Sequence, residues 1–229
     1  MAKAKAKSKK KALEREIEKE IAMLREEEAL ESAAPETKEE EGVLAPVQEE
    51  KEPKKRDVVK SFFSWSRVIT ESSDEARIFY AKSNFGSIVD AGKVQLSLLE
   101  ALYLLEKGKL EIVEKRKKMT VEEFIRKARK VEPNFWIRYC VFKDMRNRGY
   151  IIKTALKFGA DFRVYDRGIK PGQDHARWVV FPVHEGETLT WYEFAAKNRV
   201  AHSTKKRLMM AIVDDEGDVT YYEIKWMRP

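Results

Sequence analysis

The stretch RVYDRGIKPGQDHARWVVFPV, residues 163–183, decides how the chain is read. Its last third, WVVFPV, is an apolar, β-branched run that predicts a buried strand, and DFRVY just before the loop predicts another. Between them Gly168, Pro171 and Gly172 supply the geometry of a turn. The same loop carries Arg167, Lys170 and Arg177, with Tyr165 at one end and His175 near the other. A phenol and an imidazole at the ends of a basic loop between two strands call for a chemical explanation.

Working outward, the pattern predicts alternating helices and strands. Downstream, TWYE at Thr190 has the capping-box spacing and opens a helix running to about Ala201. KKRLMMAIV and VTYYEIKW follow as strands joined by the acidic turn DDEGD. Upstream, YIIKT is a strand, and NFWIRYCVFKDMRNRG after Pro133 is a helix closed by Gly149. TVEEFIRKARK pairs Thr120 with Glu123 in a second capping box. QLSLLEALYLLEKGKLEI reads as a helix with an apolar face and a stop at Gly108. DVVKSFFSWSRVIT and EARIFYAKSNFGSIVD read as short β-rich runs split by turn residues. The fold class is α+β: a small α/β domain over 57–118 and a mixed unit over 119–229, its helices before and against a largely antiparallel sheet.

Residues 1–56 differ in texture. They open on a lysine block over residues 3–11, continue through a thin apolar stripe of Leu13, Ile17, Ile21 and Leu24, and end in a Pro/Glu/Lys-rich linker. They carry 14 basic and 15 acidic side chains, whereas the chain of 229 residues has 46 and 39. The excess positive charge therefore sits on residues 57–229 and favours a polyanionic partner, most simply nucleic acid. The single cysteine, Cys140, rules out an internal disulfide and fits a reducing compartment. Without a signal peptide or an apolar run of spanning length, the sequence reads as cytoplasmic with no membrane partner.

The three histidines, His175, His184 and His202, form no zinc-spaced set with cysteine. A metal-dependent nuclease would use Glu223 and Lys225 with Asp214, Asp215 and Asp218 upstream, but alternating charge on a strand is ordinarily its solvent face. The loop suits chemistry without a metal or any other cofactor. An RNA strand carries its own nucleophile, the 2′-OH. Cleavage beside it needs a base for the 2′ proton, an acid for the departing 5′ oxygen and a cation near the charged phosphorus centre. Tyr165, His175 and one of Lys205 or Lys206 supply those three groups.

At these residues the sequence resembles the archaeal tRNA-splicing endonucleases, through FKDMRNRGYIIKTALKFGADFRVYDRG, DHARWVV and KNRVAHSTKKRLMMAIVDDEGDVTYYEIKW, and more weakly over 62–118. The resemblance implies a Tyr–His–Lys triad: Tyr165 in RVYDRG, His175 ten residues on, and Lys206 in the S-x-[KR]-K run. It implies precursor tRNA as substrate, cut at bulges flanking a short helix, with 2′,3′-cyclic phosphate and 5′-OH ends. Arg199 in KNRVAH is the arginine it assigns to an unstacked base, with Lys225 or Arg228 as a second cation. Arg163, Arg167, Lys170 and Arg177 are placed to hold flanking phosphates. The resemblance also makes Asp214, Asp215, Glu216 and Asp218 a docking loop for a neighbouring subunit in a homotetramer, or in a heterotetramer with a structural subunit. A non-catalytic subunit of the same assembly is the alternative.

Overall fold

A computed structural model describes residues 58–227; the tail read over residues 1–56 and Arg228 lie outside the described residues. The first sheet is built from β1 (Val59–Ser64), β2 (Arg67–Thr70), β3 (Ser87–Ile88), β4 (Val94–Leu96), β5 (Leu110–Glu114) and β6 (Lys117–Lys118), in the order β3-β4-β2-β1-β5-β6. Only the β1–β5 pair is parallel. Helix α2 (Leu98–Glu106) stands between β4 and β5 and buries Leu98, Leu99, Ala101, Leu102 and Leu104. Its end follows the expected stop, with Gly108 at φ 64°.

One segment departs from the sequence reading. EARIFYAKS, read as part of a β-rich run, forms helix α1 (Asp74–Ser83). Ser73 Oγ accepts the Ala76 N–H at 3.1 Å, Asp74 and Glu75 fill the first turn, and Asn84 closes the helix in the left-handed conformation. A complete set of end signals outweighed the strand preference of Ile78, Phe79 and Tyr80, as it does when a segment has no central place in a sheet.

The second sheet runs β11-β10-β9-β8-β7, from β7 (Ile151–Thr154), β8 (Phe162–Tyr165), β9 (Trp178–His184), β10 (Arg207–Val213) and β11 (Val219–Ile224). All neighbours are antiparallel except β9 and β10. A parallel pair needs a crossover, and helix α5 (Trp191–Ser203) provides it, opened by the Thr190–Glu193 capping box. Helices α3 (Val121–Val131) and α4 (Phe135–Asn147) precede the sheet, and α3 opens on the Thr120–Glu123 box.

Alternation along the strands divides the second sheet into two faces. Phe162, Val164, Val180, Ala211 and Val213 join Phe135, Tyr139 and Phe142 of α4 in the main core, which continues into Val59, Leu96 and Leu102. Val179, Phe181, Leu208 and Met210 form a smaller cluster with Val200 and Ala201 of α5. Buried charge also links the first sheet to the second. Glu100, 6% exposed, accepts the Gly86 N–H at 2.9 Å and Lys153 Nζ at 3.2 Å. Arg146 lies 3.9 Å from the centre of the Phe85 ring and donates to Ser83 O at 2.9 Å; burial lowers its pKa to about 10. In the turn over Gly172–His175, Gly172 has φ 89° and the Asp174 carboxylate accepts the His175 N–H at 2.6 Å.

Candidate active site

The second sheet brings two of the sequence-predicted residues to one edge. Val164 lies opposite Trp178, and Trp178 opposite Arg207. Just beyond this row the Arg177 N–H donates to Val164 O and the Arg207 N–H to Arg177 O, both at 2.9 Å. Tyr165, Arg177 and Lys206 thus make the next row across β8, β9 and β10. Tyr165 follows Arg163 by two and Lys206 precedes Leu208 by two, so both belong to the face covered by α5. Two strand spacings separate them, about 10 Å between Cα atoms.

Each is held by its surroundings. Tyr165 is 2% exposed, and the Arg163 guanidinium stands 5.8 Å from its ring centre with a buried Nε that makes no hydrogen bond. Arg163 is half-buried and packs beside the tyrosine. Lys206 is half-buried and donates to Thr204 O at 3.1 Å. The turn that aims it is tight: Thr204 Oγ1 donates to Val200 O at 2.8 Å, and Lys205 adopts φ 52°. A lysine in the left-handed region is uncommon, and such residues concentrate at functional sites. Lys205 itself is exposed, off that face. His175 is half-buried.

The cations expected to hold phosphates are dispersed. Arg167 lies 4.9 Å over the Tyr150 ring, and Lys170 donates to Ala81 O at 3.3 Å. Arg177 pairs with Asp166 at 3.2 Å and covers Trp178 at 4.8 Å. Arg199 lies 5.9 Å over Tyr192 and lines a groove with Asn198, His202 and Trp226. The His202 and Trp226 rings meet edge-on at 5.0 Å. The alternation in VTYYEIKW predicts Trp226 as aromatic surface for subunit pairing; the fold sets it instead beside Arg199, a proximity that the letters do not carry.

Glu223 has a different occupation from that of a metal ligand. Its carboxylate accepts Trp178 Nε1 at 2.8 Å and Arg207 at 3.2 Å. The indole bond, then the charges of Arg207 and Lys225, hold its pKa below the ordinary carboxylate value. Among the described residues no group of three or more His, Cys, Asp or Glu could hold a metal ion.

Residues 59–125 match the family described as tRNA intron endonuclease, N-terminal domain, and residues 135–221 match tRNA intron endonuclease, catalytic C-terminal domain. A tRNA-splicing endonuclease of Nanoarchaeum equitans is 47% identical over 151 residues, covering 63% of this chain and 97% of the relative. Those of Thermococcus gammatolerans and Methanothermobacter thermautotrophicus are 43% and 41% identical over 73% and 71% of this chain and 97% and 94% of their own. The chain belongs to the tRNA intron endonuclease family. It is an RNA endonuclease, and residues 1–56 fall outside the matched regions.

In this endonuclease the acidic turn is internally organised. Asp214 closes it: its carboxylate accepts the Asp218 N–H at 2.8 Å and its carbonyl the Gly217 N–H at 3.2 Å. Gly217 needs its φ of 91°, and a Cβ there would come within 3.4 Å of Cys140 Sγ. Asp215 Oδ1 lies 3.0 Å from His184 Nε2, while His184 Nδ1 accepts the Gly186 N–H at 3.2 Å. That second bond fixes the tautomer with hydrogen on Nε2, so the ring donates to Asp215. By sequence alone the four carboxylates are equivalent. Two of them have partners within the subunit, and the carboxylates of Glu216 and Asp218 are left exposed at the tip. Among the described residues, no helix is long and apolar enough to cross a membrane.

Proposed function

We propose that the chain is a catalytic subunit that cuts precursor tRNA at bulge-helix-bulge intron boundaries without a metal. Tyr165 takes the proton of the 2′-OH, the 2′ oxygen attacks phosphorus, and the bond to the 5′ oxygen breaks. His175 gives that leaving oxygen its proton, and Lys206 offsets the charge on the phosphorus oxygens. The products are a 2′,3′-cyclic phosphate and a 5′-OH. The observation that carries this reading is the shared row and face of Tyr165, at the end of β8, and Lys206, immediately before β10. The loop supplying His175 leaves β8 immediately after Tyr165.

In this reading Arg199 and Trp226 flank the groove in which an unstacked base is gripped, a cation on one side and an indole on the other. Arg167, Lys170, Arg177 and Lys225 act on flanking phosphates. The chain divides into an N-terminal domain over 57–118 and a catalytic domain over 119–229, and works as a tetramer, of identical subunits or with a structural partner. Two features support assembly: β11 is an edge strand with Tyr222 57% exposed, and Glu216 and Asp218 are exposed in the adjoining turn. The test is cleavage of an intron-containing precursor tRNA in excess EDTA, with analysis of the product ends. Undiminished cleavage with cyclic phosphate ends is expected; loss of cleavage restored by Mg²⁺ would move the chemistry to Glu223 and Lys225.

A further inference from the structure

We propose that the β5–β6 hairpin and the outer face of α3 form a second RNA-binding surface, contacting phosphates of the tRNA body. This rests on the substrate being tRNA, and on a site that the triad does not use.

The residues begin with KRKK, 115–118, and continue with Arg126, Lys127, Arg129 and Lys130. Glu114 lies opposite Lys117, so Lys115 and Arg116 alone form the hairpin turn, at φ 46° and 68°. A two-residue turn with positive φ at both positions favours Asn-Gly, because a Cβ is disfavoured there. Two adjacent long cations in that conformation are held against local preference. The helix adds to the cost: Arg126 and Lys130 stand four residues apart on one face, where like charges repel.

Local carboxylates neutralise only part of the cluster. Lys117 pairs with Glu123 at 2.9 Å, Lys118 with Glu111 at 2.7 Å, and Lys127 with Glu114. Arg129 lies 5.2 Å over the Trp136 ring. Lys115, Arg116, Arg126 and Lys130 are exposed and make no ion pair among the described residues. Arg126 and Lys130 line two shallow grooves, one shared with Lys117 and Lys127, the other with Arg129 and Glu122. The strand pairing of the hairpin and the capped helix fix the backbone positions from which these cations project. A surface that needed charge only for solubility gains nothing by placing lysine and arginine where a Cβ is disfavoured. A polyanion whose charges repeat along a backbone satisfies it.

The variant Lys115→Asn/Arg116→Gly installs the favoured turn, and Arg126→Gln/Lys130→Gln is a second, independent variant on the helix. Binding to mature tRNA, which has no intron to cut, isolates the surface from the chemistry. Both variants are expected to weaken tRNA binding, together by roughly tenfold near physiological salt, and to flatten log Kd against log [salt] by about one for each phosphate no longer neutralised. The Asn-Gly variant is expected to melt at a higher temperature than wild type. Cleavage of a minimal bulge-helix-bulge duplex lacking the tRNA body should be unchanged. Failure of wild type to cut that duplex would count against the triad alone, since the tRNA measurement stands apart. Unaltered tRNA affinity and salt slope in both variants would overturn the surface. So would a lower assembly mass by light scattering, which would make the patch a seat for another subunit's acidic turn.

Discussion

Tyr165 is 2% exposed, and removing its hydroxyl alone allows chemistry to be tested apart from structure. Tyr165→Phe removes one oxygen and keeps the ring, so the fold and RNA affinity should persist while cleavage falls. His175→Ala should slow cleavage by roughly 10²–10⁴-fold, the usual range for a lost general acid, with little change in RNA affinity. Single-turnover rates beside equilibrium binding measure both, and a wild-type rate in both variants would remove the assignment. Glu223 offers a prediction in pH. Its pKa is lowered by the Trp178 indole and then by Arg207. A carboxyl depressed in the folded state adds stability above its unfolded pKa and loses it as pH falls through the folded value. Glu223→Gln should therefore lower the melting temperature at pH 7, and the gap to wild type should shrink as pH drops below about 4.5.

Helix α5 links two parallel strands, carries Arg199 and delivers the chain to Lys206 through the left-handed turn at Lys205. Its start is fixed by Thr190, whose hydroxyl accepts the Glu193 N–H at 3.2 Å. Thr190→Ala should cost about 1 kcal/mol, the usual worth of such a cap, read by urea denaturation. Binding of RNA that depends on Arg199 should weaken further than that if the helix frays. This box, like the one at Thr120, was legible from four letters, because a cap is satisfied within one turn of chain. The helix α1 was not: its end signals were present at Ser73 and Asn84, yet its aromatic and β-branched middle favoured a strand when read alone.

At the scale of the molecule, the exposed pair Glu216 and Asp218 separates docking from folding. Asp214 is tied into the turn and Asp215 to His184, so changing them would disturb shape as well as charge. Glu216→Gln/Asp218→Asn keeps the hydrogen bonds and removes two charges. If the turn docks against a basic neighbour, light scattering should show a smaller assembly for this variant, most clearly at low salt, with an unchanged melting curve for the subunit at high dilution. Equal masses at low and high salt would remove the docking role.

The α+β class, the capping boxes at Thr120 and Thr190 and the hairpin at DDEGD were legible in the letters, since periodicity, caps and turns act over a few residues, and the motifs that carry the family likeness, and that make Tyr165, His175 and Lys206 candidates, are contiguous. Register was not. That Tyr165 and Lys206 occupy one row on one face depends on which residues of β8, β9 and β10 lie opposite one another, a choice made by burying Phe162, Val164 and Val180 against α4 and Val179 and Leu208 under α5. The inward turn of Asp214, the pairing of Asp215 with His184, and the use of Glu223 as an acceptor for Trp178 and Arg207 are likewise set by the fold. They arise only when packing two faces of a sheet brings those strands together, because charge and hydrogen bonding act through space and the sequence orders residues only along the chain.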